Sequence, residues 1–404
     1  MEKATRTHTK EHNRNLVLTT IFGHENISRA EIARVTRLTP TTVSDIVSDL
    51  LEQGLVREIG VGQSQGGKNP ILLSLIDDSR WLIGLDLAQN EFRGAVVNLR
   101  GKLRDVVTIP VADEHRTDAL PLVYRLMDRL IENTSQPLSG IGIGAPGLVN
   151  TNEGLVVNAV NFNWKNLPLT QLLQERYRLP VHILNDCQAA AIGERTYGKG
   201  ARKDENLVLL NVHHGIGAGI IIRGDIYQGD GGFAGEIGHV IAVREGGELC
   251  RCGKRGCLET VASAEALLRN ARQHSRQHPE SPLAAQPEAV TLDAILSAFQ
   301  ADDPWARELV FKTADHVGMA ISALVGVLNI HRIVLQGDMT RFGTPWLDRV
   351  REATASLSLA RPLQNTHLEI GQLGENAVVL GAAAVFANNY SYLFARPAAL
   401  APSA

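Results

Sequence analysis

The sequence predicts an α/β chain in which an N-terminal winged helix-turn-helix precedes a body of two α/β lobes. Three observations carry this. Two capped helices with helical apolar spacing fall within residues 28–54, followed by two strand-like runs around a glycine-rich tip. Two later stretches, LIGLDLAQNEFRGAVVNLRGKL from Leu82 and LVLLNVHHGIGAGIIIRGDIY from Leu207, resemble one another. A chain of 404 residues is also too long for one ordinary domain.

The head follows from its caps. Ser28-Arg29-Ala30-Glu31 has the capping-box form, in which the serine oxygen and the glutamate three residues later satisfy free amides at a helix start. That helix is short, with Ile32 and Ala33 inward, and gives way near Thr36 to a turn holding Leu38. Thr39 then caps a second helix with Pro40 at its first position, and Val43, Ile46, Val47 and Leu50 repeat at i, i+3, i+4 and i+7 until Gln53-Gly54 closes it. Thr41, Thr42, Ser44, Asp45 and Ser48 are left on or near the free face, small polar groups suited to base edges and phosphates. Residues 55–59 read as a strand and 71–75 as its return, and the glycine-rich 62–70 between them fits a wing. Double-stranded operator DNA is the expected partner, with Arg29, Thr39, Thr41, Thr42, Ser44 and Lys68 as contacts. The alternative is a small helical interaction module on a flexible linker. Charge does not separate the two, because residues 1–70 hold nine Lys/Arg against eight Asp/Glu.

In the body, each of the two similar stretches reads as strand, turn, strand, glycine turn, strand, which implies a duplicated α/β unit. Helices are expected at 122–132, 170–178 and 314–328, and further strands at 141–144, 181–184 and 333–335. The expected boundaries are a head over 1–78, a first lobe over 79–195 completed by a helix at 378–394, a second lobe over 196–377, and a disordered tail over 395–404. Segment 278–288 reads as a loop. A cleft between two lobes is the natural ligand site.

Three of the four cysteines follow one histidine in HVIAVREGGELCRCGKRGC from His239. A disulfide framework suits short, secreted, cysteine-dense chains, and this chain is long, with an odd cluster of three. Cys250, Cys252 and Cys257 with His239 make a Cys3His set, the closed tetrahedral arrangement of structural zinc, and Gly253 and Gly256 suggest a tight knuckle between ligands. Free buried thiols are the alternative. Cys187, in an Asn-Asp-Cys-Gln-Ala-Ala-Ala run, reads as a small core residue.

The segments GIGAPGLVN, LNDCQAAAIGE, GDGGFAGEIGHV and CRCGKRGCLE stand in an order and spacing that resemble the ROK family, whose members are sugar kinases and sugar-responsive repressors. The likeness covers essentially the whole chain, and EIGH together with CxCGxxGCLE is its most specific part. The resemblance implies an actin-like, sugar-kinase-type fold of the ribonuclease H-like class, with zinc bracing one wall of a sugar site. It further implies an effector set of Gly147, Asn161, Asn185, Asp186, Glu236, His239 and Glu259, in which carboxylates and amides meet ring hydroxyls.

Asp186 matches the family's catalytic base, which in a kinase would take a proton from the hydroxyl attacking ATP. The family's kinases begin their first lobe with an Asp-x-Gly-Gly-Thr phosphate loop, however, and this chain has Asp86-Leu87-Ala88-Gln89-Asn90, with side chains expected where phosphates would lie. The second loop, His214-Gly215-Ile216-Gly217-Ala218-Gly219, carries a histidine where the kinases tend to have a small or hydroxylic group, and Gln336-Gly337-Asp338 replaces a glycine run. The expectation is therefore a sugar-responsive transcriptional repressor that does no chemistry. A sugar kinase with an appended DNA-binding domain is the rival. A homodimer or a dimer of dimers reading a palindrome is expected, because a single helix-turn-helix rarely supplies enough affinity, with the switch a population shift in which sugar favours one lobe orientation. With 21% charged residues, no apolar run judged long enough to cross a bilayer and no apolar signal segment, a cytoplasmic location with no membrane partner is expected.

Overall fold

The structure, a computed structural model, describes residues 6–63, 69–112, 119–198, 205–278 and 290–387. The head comprises α1 (Arg6–Phe22), β1 (Ile27–Ser28), α2 (Arg29–Thr36), α3 (Pro40–Glu52), β2 (Val56–Val61) and β3 (Ile71–Leu75). α1 is an addition to the sequence reading. Its Val17, Leu18, Ile21 and Phe22 are buried, but they cluster at the end of an otherwise polar stretch that shows no capping pair.

α2 begins on the expected capping box. Ser28 Oγ accepts from the Glu31 amide at 3.2 Å, and Glu31 Oε2 accepts from the Ser28 amide at 2.9 Å and the Ser28 hydroxyl at 2.8 Å. The bonds from the Ser28 amide and hydroxyl hold the Glu31 carboxyl below its ordinary range. Arg37, at φ 57°, ends α2 in the left-handed conformation and turns the chain toward α3. There Thr39 accepts from the Thr42 amide, Pro40 starts the helix, and Val43, Ile46, Val47 and Leu50 are buried. The strands pair antiparallel in the order β1-β3-β2, from Val56 opposite Leu75 to Val61 opposite Ile71, and Gly62 N donates to Pro70 O at the base of the wing. The wing tip, with Lys68, lies outside the described residues.

The chain divides into two compact units, with breaks after residues 189 and 377, and the head belongs to the first. The first unit continues with β4 (Trp81–Leu87), β5 (Glu91–Asn98), β6 (Leu103–Pro110), α4 (Leu120–Asn133), β7 (Leu138–Ala145), β8 (Leu148–Asn150), β9 (Leu155–Ala159), β10 (Trp164–Leu167), α5 (Leu169–Tyr177) and β11 (Val181–Asn185). The first break falls inside α6 (Asp186–Tyr197). The second unit holds β12 (Leu207–Val212), β13 (Ile216–Ile222), β14 (Asp225–Ile226), α7 (Glu259–Ala262), α8 (Ala264–Gln277), α9 (Leu292–Gln300), α10 (Pro304–Leu328), β15 (Arg332–Gln336), α11 (Gly343–Leu357), α12 (Ala360–Leu363) and β16 (His367–Ile370). The chain ends its described part on α13 (Ala377–Ala387).

The duplication is visible in the sheets. One runs β11-β7-β4-β5-β6 and the other β14-β13-β12-β15-β16. In each, the first strand pairs antiparallel with the next strand in sequence and parallel with a strand that follows a helix. A separate antiparallel sheet, β10-β9-β8, hangs on the first unit. α13 lies directly on β4 and β7, an approach that glycine permits: a Cβ on Gly84 would meet the Val379 carbonyl, and one on Gly142 the Ala382 carbonyl.

α10 is longer than the 314–328 expected from the sequence. At 25 residues it is long and apolar enough to cross a membrane by length and composition, which corrects the reading that no such run exists. Its Val310, Ala314, Val317, Ile321 and Val325 are nevertheless packed into the core of the second unit.

In the first unit an Arg100 guanidinium joins body to head. Its Nη1 donates to Phe22 O at 2.5 Å, its Nη2 to His24 O at 3.3 Å, and its Nε to Asp77 at 3.1 Å.

Candidate functional site

The expected metal ligands converge. The ligand atoms of His239, Cys250, Cys252 and Cys257 all lie within 4.8 Å of one another. Cys252 Sγ and Cys257 Sγ are 3.6 Å apart, and Cys250 Sγ is 3.5 Å from His239 Nδ1. A tetrahedral ion with bonds of about 2.0–2.3 Å sets its ligand atoms roughly 3.3–3.8 Å apart, so the donor set fits such an ion. Local backbone explains the convergence. Cys250 N donates to Lys254 O at 2.8 Å and Gly253 N to Cys250 O at 2.9 Å, folding the cysteine loop into a knuckle. Gly256, at φ 76°, lies so close to the Val243 carbonyl that a side chain would collide with it. Cys187 is buried apart from the cluster, as a small core residue.

Two of the expected effector residues border the cluster in the second unit. Glu236 precedes a 3-10 turn, Ile237–His239, and its Oε2 lies 3.9 Å from His239 Nε2. Glu259, at the start of α7, is only 8% exposed, too buried to be a solvated surface charge. Its Oε1 lies 3.7 Å from His239 Nδ1 and accepts from Cys250 Sγ at 2.9 Å. Burial and that bond to Glu259 push the Cys250 thiol up, whereas a bound cation would displace its proton. Gly235 and Gly238 let this stretch lie on β13, where side chains would strike the Ala218 and Ile216 carbonyls. Arg251, between two of the cysteines, approaches Glu259 Oε2 at 4.0 Å. Sequence reasoning passed over it, although its place between two ligands fixed it near the cluster.

The remaining effector candidates belong to the first unit. Asn185 ends β11 and Asp186 opens α6, both half-buried. Asn185 Nδ2 donates to Gly147 O at 3.0 Å, while its Oδ1 accepts from the Cys187 amide at 2.9 Å. Gly147 is required: at φ 78° its backbone runs against the Asn158 carbonyl. Asn161 is half-buried in the 3-10 turn Val160–Phe162. Asp186 Oδ1 accepts from the Cys187 amide at 2.8 Å.

In the first loop Leu87, at the variable position of the kinase motif, is fully buried in the core of the first unit; Ala88 and Gln89, which stand where the kinases have glycines, are half-exposed and Asn90 is exposed. None of residues 86–90 has a positive φ, so the turn has no need of glycine.

On α3, Thr41, Ser44, Asp45 and Ser48 are exposed as expected, a polar face opposite the buried Val43, Ile46, Val47 and Leu50. Thr42 is half-buried, with its hydroxyl 2.9 Å from that of the capping Thr39. Arg29 is paired with Glu58 of β2 at 3.1 Å.

Known proteins resemble the chain along its length. The family model described as ROK family matches residues 82–389, and one described as winged helix-turn-helix DNA-binding matches residues 11–57. A xylose repressor of Caldicellulosiruptor bescii is 32% identical over 383 residues, which cover 93% of this chain and 95% of that protein. A glucokinase of Halalkalibacterium halodurans is 35% identical over 312 residues, covering 75% of this chain and 93% of the glucokinase. Among solved structures, a ROK family transcriptional regulator described as a homolog of the E. coli Mlc protein matches with a TM-score of 0.82 at 27% identity, covering 96% of this chain and 98% of its own.

Proposed function

The chain belongs to the ROK family, and from that premise we propose that it is a sugar-responsive transcriptional repressor that binds operator DNA through its winged helix-turn-helix and releases it when a sugar binds. The observation that carries this is the extent of the likeness. The xylose repressor is similar over 93% of the chain, whereas the glucokinase is similar over 75% of it.

On this reading His239, Cys250, Cys252 and Cys257 hold a structural zinc ion. Three thiolates and an imidazole suit zinc, and four protein ligands leave no position for a reactive water. Such an ion would hold His239 in place, and the Cys250 proton, displaced to solvent on thiolate binding, would no longer occupy Glu259 Oε1, which could then accept from a hydroxyl. Glu236, His239 and Glu259, together with Gly147, Asn161, Asn185 and Asp186, are the sugar-binding residues. Asp186 accepts a hydroxyl and takes no part in phosphoryl transfer, because the glycine pair of the kinase phosphate loop is replaced at Ala88 and Gln89.

DNA recognition rests on α3, whose exposed Thr41 and Ser44 reach base edges. Arg29, Thr39, Thr42 and Lys68 support the backbone contacts. Two such heads in a symmetric homodimer, or a dimer of dimers, read a palindrome in the cytoplasm. Sugar binding shifts the population away from the DNA-competent conformation.

A second reading, a sugar kinase with a DNA-binding head, is favoured by Asp186 and by the likeness to a glucokinase. A thermal-shift screen of the purified protein against a panel of sugars, followed by operator binding with each stabilising sugar, tests the proposal. Stabilisation by one sugar and loss of operator binding in its presence is the expected result. Phosphorylation of that sugar from ATP, with contaminating kinase excluded, would favour the kinase reading.

A further inference from the structure

We propose that His213, His214 and Asp338 form a second metal site, separate in its ligands from the cysteine cluster and suited to a borderline first-row divalent ion such as Zn2+, Co2+ or Ni2+. The three residues lie at the ends of neighbouring parallel strands. β12 pairs with β15 from Val208 opposite Ile333 to Asn211 opposite Gln336, so the residues that follow, His213 and Asp338, leave the sheet side by side. The crevice beyond the carboxyl ends of parallel strands is where α/β sheets collect ligands.

The donor atoms of the three side chains lie within 4.8 Å of one another, and all three residues are half-buried. His213 Nδ1 and Asp338 Oδ2 are already 2.7 Å apart, and the two imidazole rings meet edge to face with centroids 4.6 Å apart. Glu265 Oε2, 3.9 Å from His214 Nδ1, supplies a further carboxylate at the margin.

The supporting backbone is fixed. His213 N donates to Gly215 O at 3.0 Å, and His213 O accepts from Ala264 N at 2.9 Å. Gly337, at φ 94°, passes so close to β12 that a Cβ would lie 2.5 Å from Val212 O and 2.7 Å from Asn211 Oδ1. Thr340 then ties the turn, its amide donating to Gly337 O at 3.0 Å and its hydroxyl to the same oxygen at 2.8 Å. Ligands set on rigid supports lose little entropy when an ion arrives. Two imidazoles and one carboxylate fill only three positions, so an ion here keeps room for water or an added anion, unlike one held by Cys3His.

Cobalt distinguishes the two sites, because thiolate ligands give an intense sulfur-to-cobalt charge-transfer absorption that imidazole and carboxylate ligands do not. The metal-stripped full-length protein is titrated with Co2+ and the bound ion counted after gel filtration. The proposal expects two ions per chain, only one of them adding charge-transfer absorption. Asp338→Asn and His214→Gln are each expected to remove the ion without charge transfer and leave the thiolate band intact, which also shows that the variant has folded. One ion per chain in the parent overturns the proposal, as does a second ion retained by both variants; the triad is then an ion pair only.

Discussion

Cys250 Sγ and Glu259 Oε1 lie 2.9 Å apart and share a proton, although the one is a proposed metal ligand and the other a proposed effector residue. In the proposed function, metal and sugar binding are coupled through that proton. The parent protein is expected to hold one zinc in the cysteine cluster, and Cys252→Ala to retain well under half of it by metal analysis. Sugar affinity of that variant is expected to fall by about tenfold or more, the usual scale when support around a site is lost. Equal zinc in parent and variant would sink the assignment.

Glu259→Gln separates the two roles. It keeps all four metal ligands and nearly the same volume, so metal content is expected to stay at the parent's level. Sugar binding is expected to weaken by about tenfold to a hundredfold, since a hydrogen bond to a charged group is worth about 1.5–3 kcal/mol. Calorimetry with the stabilising sugar reads the difference; unchanged affinity removes Glu259 from the effector set.

Asp186→Asn distinguishes repressor from kinase. The repressor reading expects a modestly weakened sugar response in operator binding, with no ATP turnover above background in parent or variant. Sugar-dependent ATP turnover in the parent that collapses in the variant is the opposite outcome.

The capping box makes α2 sensitive to acid. Glu31 has its folded carboxyl held below the ordinary range by the Ser28 amide and hydroxyl. A depressed carboxyl contributes stability that is present above its unfolded pKa, about 4.3, and lost as pH falls through the lower folded value. Glu31→Gln is expected to flatten the acid limb of the head's unfolding, followed by circular dichroism between about pH 5 and pH 2. An acid limb identical to the parent's rules out the capping box as its source.

Gly142→Ala tests how α13 is seated. The added methyl group would strike the Ala382 carbonyl, backbone that moves only with the helix. A loss of about 1–3 kcal/mol in chemical denaturation is expected, the usual cost of overpacking. Gly246→Ala, which meets nothing within 4 Å but sits at φ 68°, is not a clean control; Gly326→Ala, in open space on α10, is, and is expected to be neutral or stabilising.

Where local chemistry decides structure, the sequence was legible. Ser28 with Glu31, and Thr39 with Pro40, announced α2 and α3 because a helix start is satisfied by neighbours in the chain. His239 and the three cysteines were legible because soft ligands at close spacing have few other uses. α1 escaped notice, since Val17, Leu18, Ile21 and Phe22 are buried by tertiary contacts that no cap announces. The burial of Leu87 is hidden for a related reason: its place in a loop motif says nothing of the core into which its side chain turns. The pairing of His213 with Asp338 depends on the register of β12 against β15, strands separated by more than a hundred residues.

Arg100 has a consequence for how operators are chosen. A head on a flexible tether of n residues would wander about 5–6 Å × √n from its anchor and tolerate half-sites at many separations. Here the guanidinium bonds to Phe22 O, His24 O and Asp77 at once, and Ile76 N donates to Leu55 O at 2.8 Å, so the head has no tether to spend. For the proposed dimer, half-site separation then becomes a dimension of the folded protein rather than a matter of chain statistics. Inserting a few base pairs between half-sites asks the protein itself to change shape.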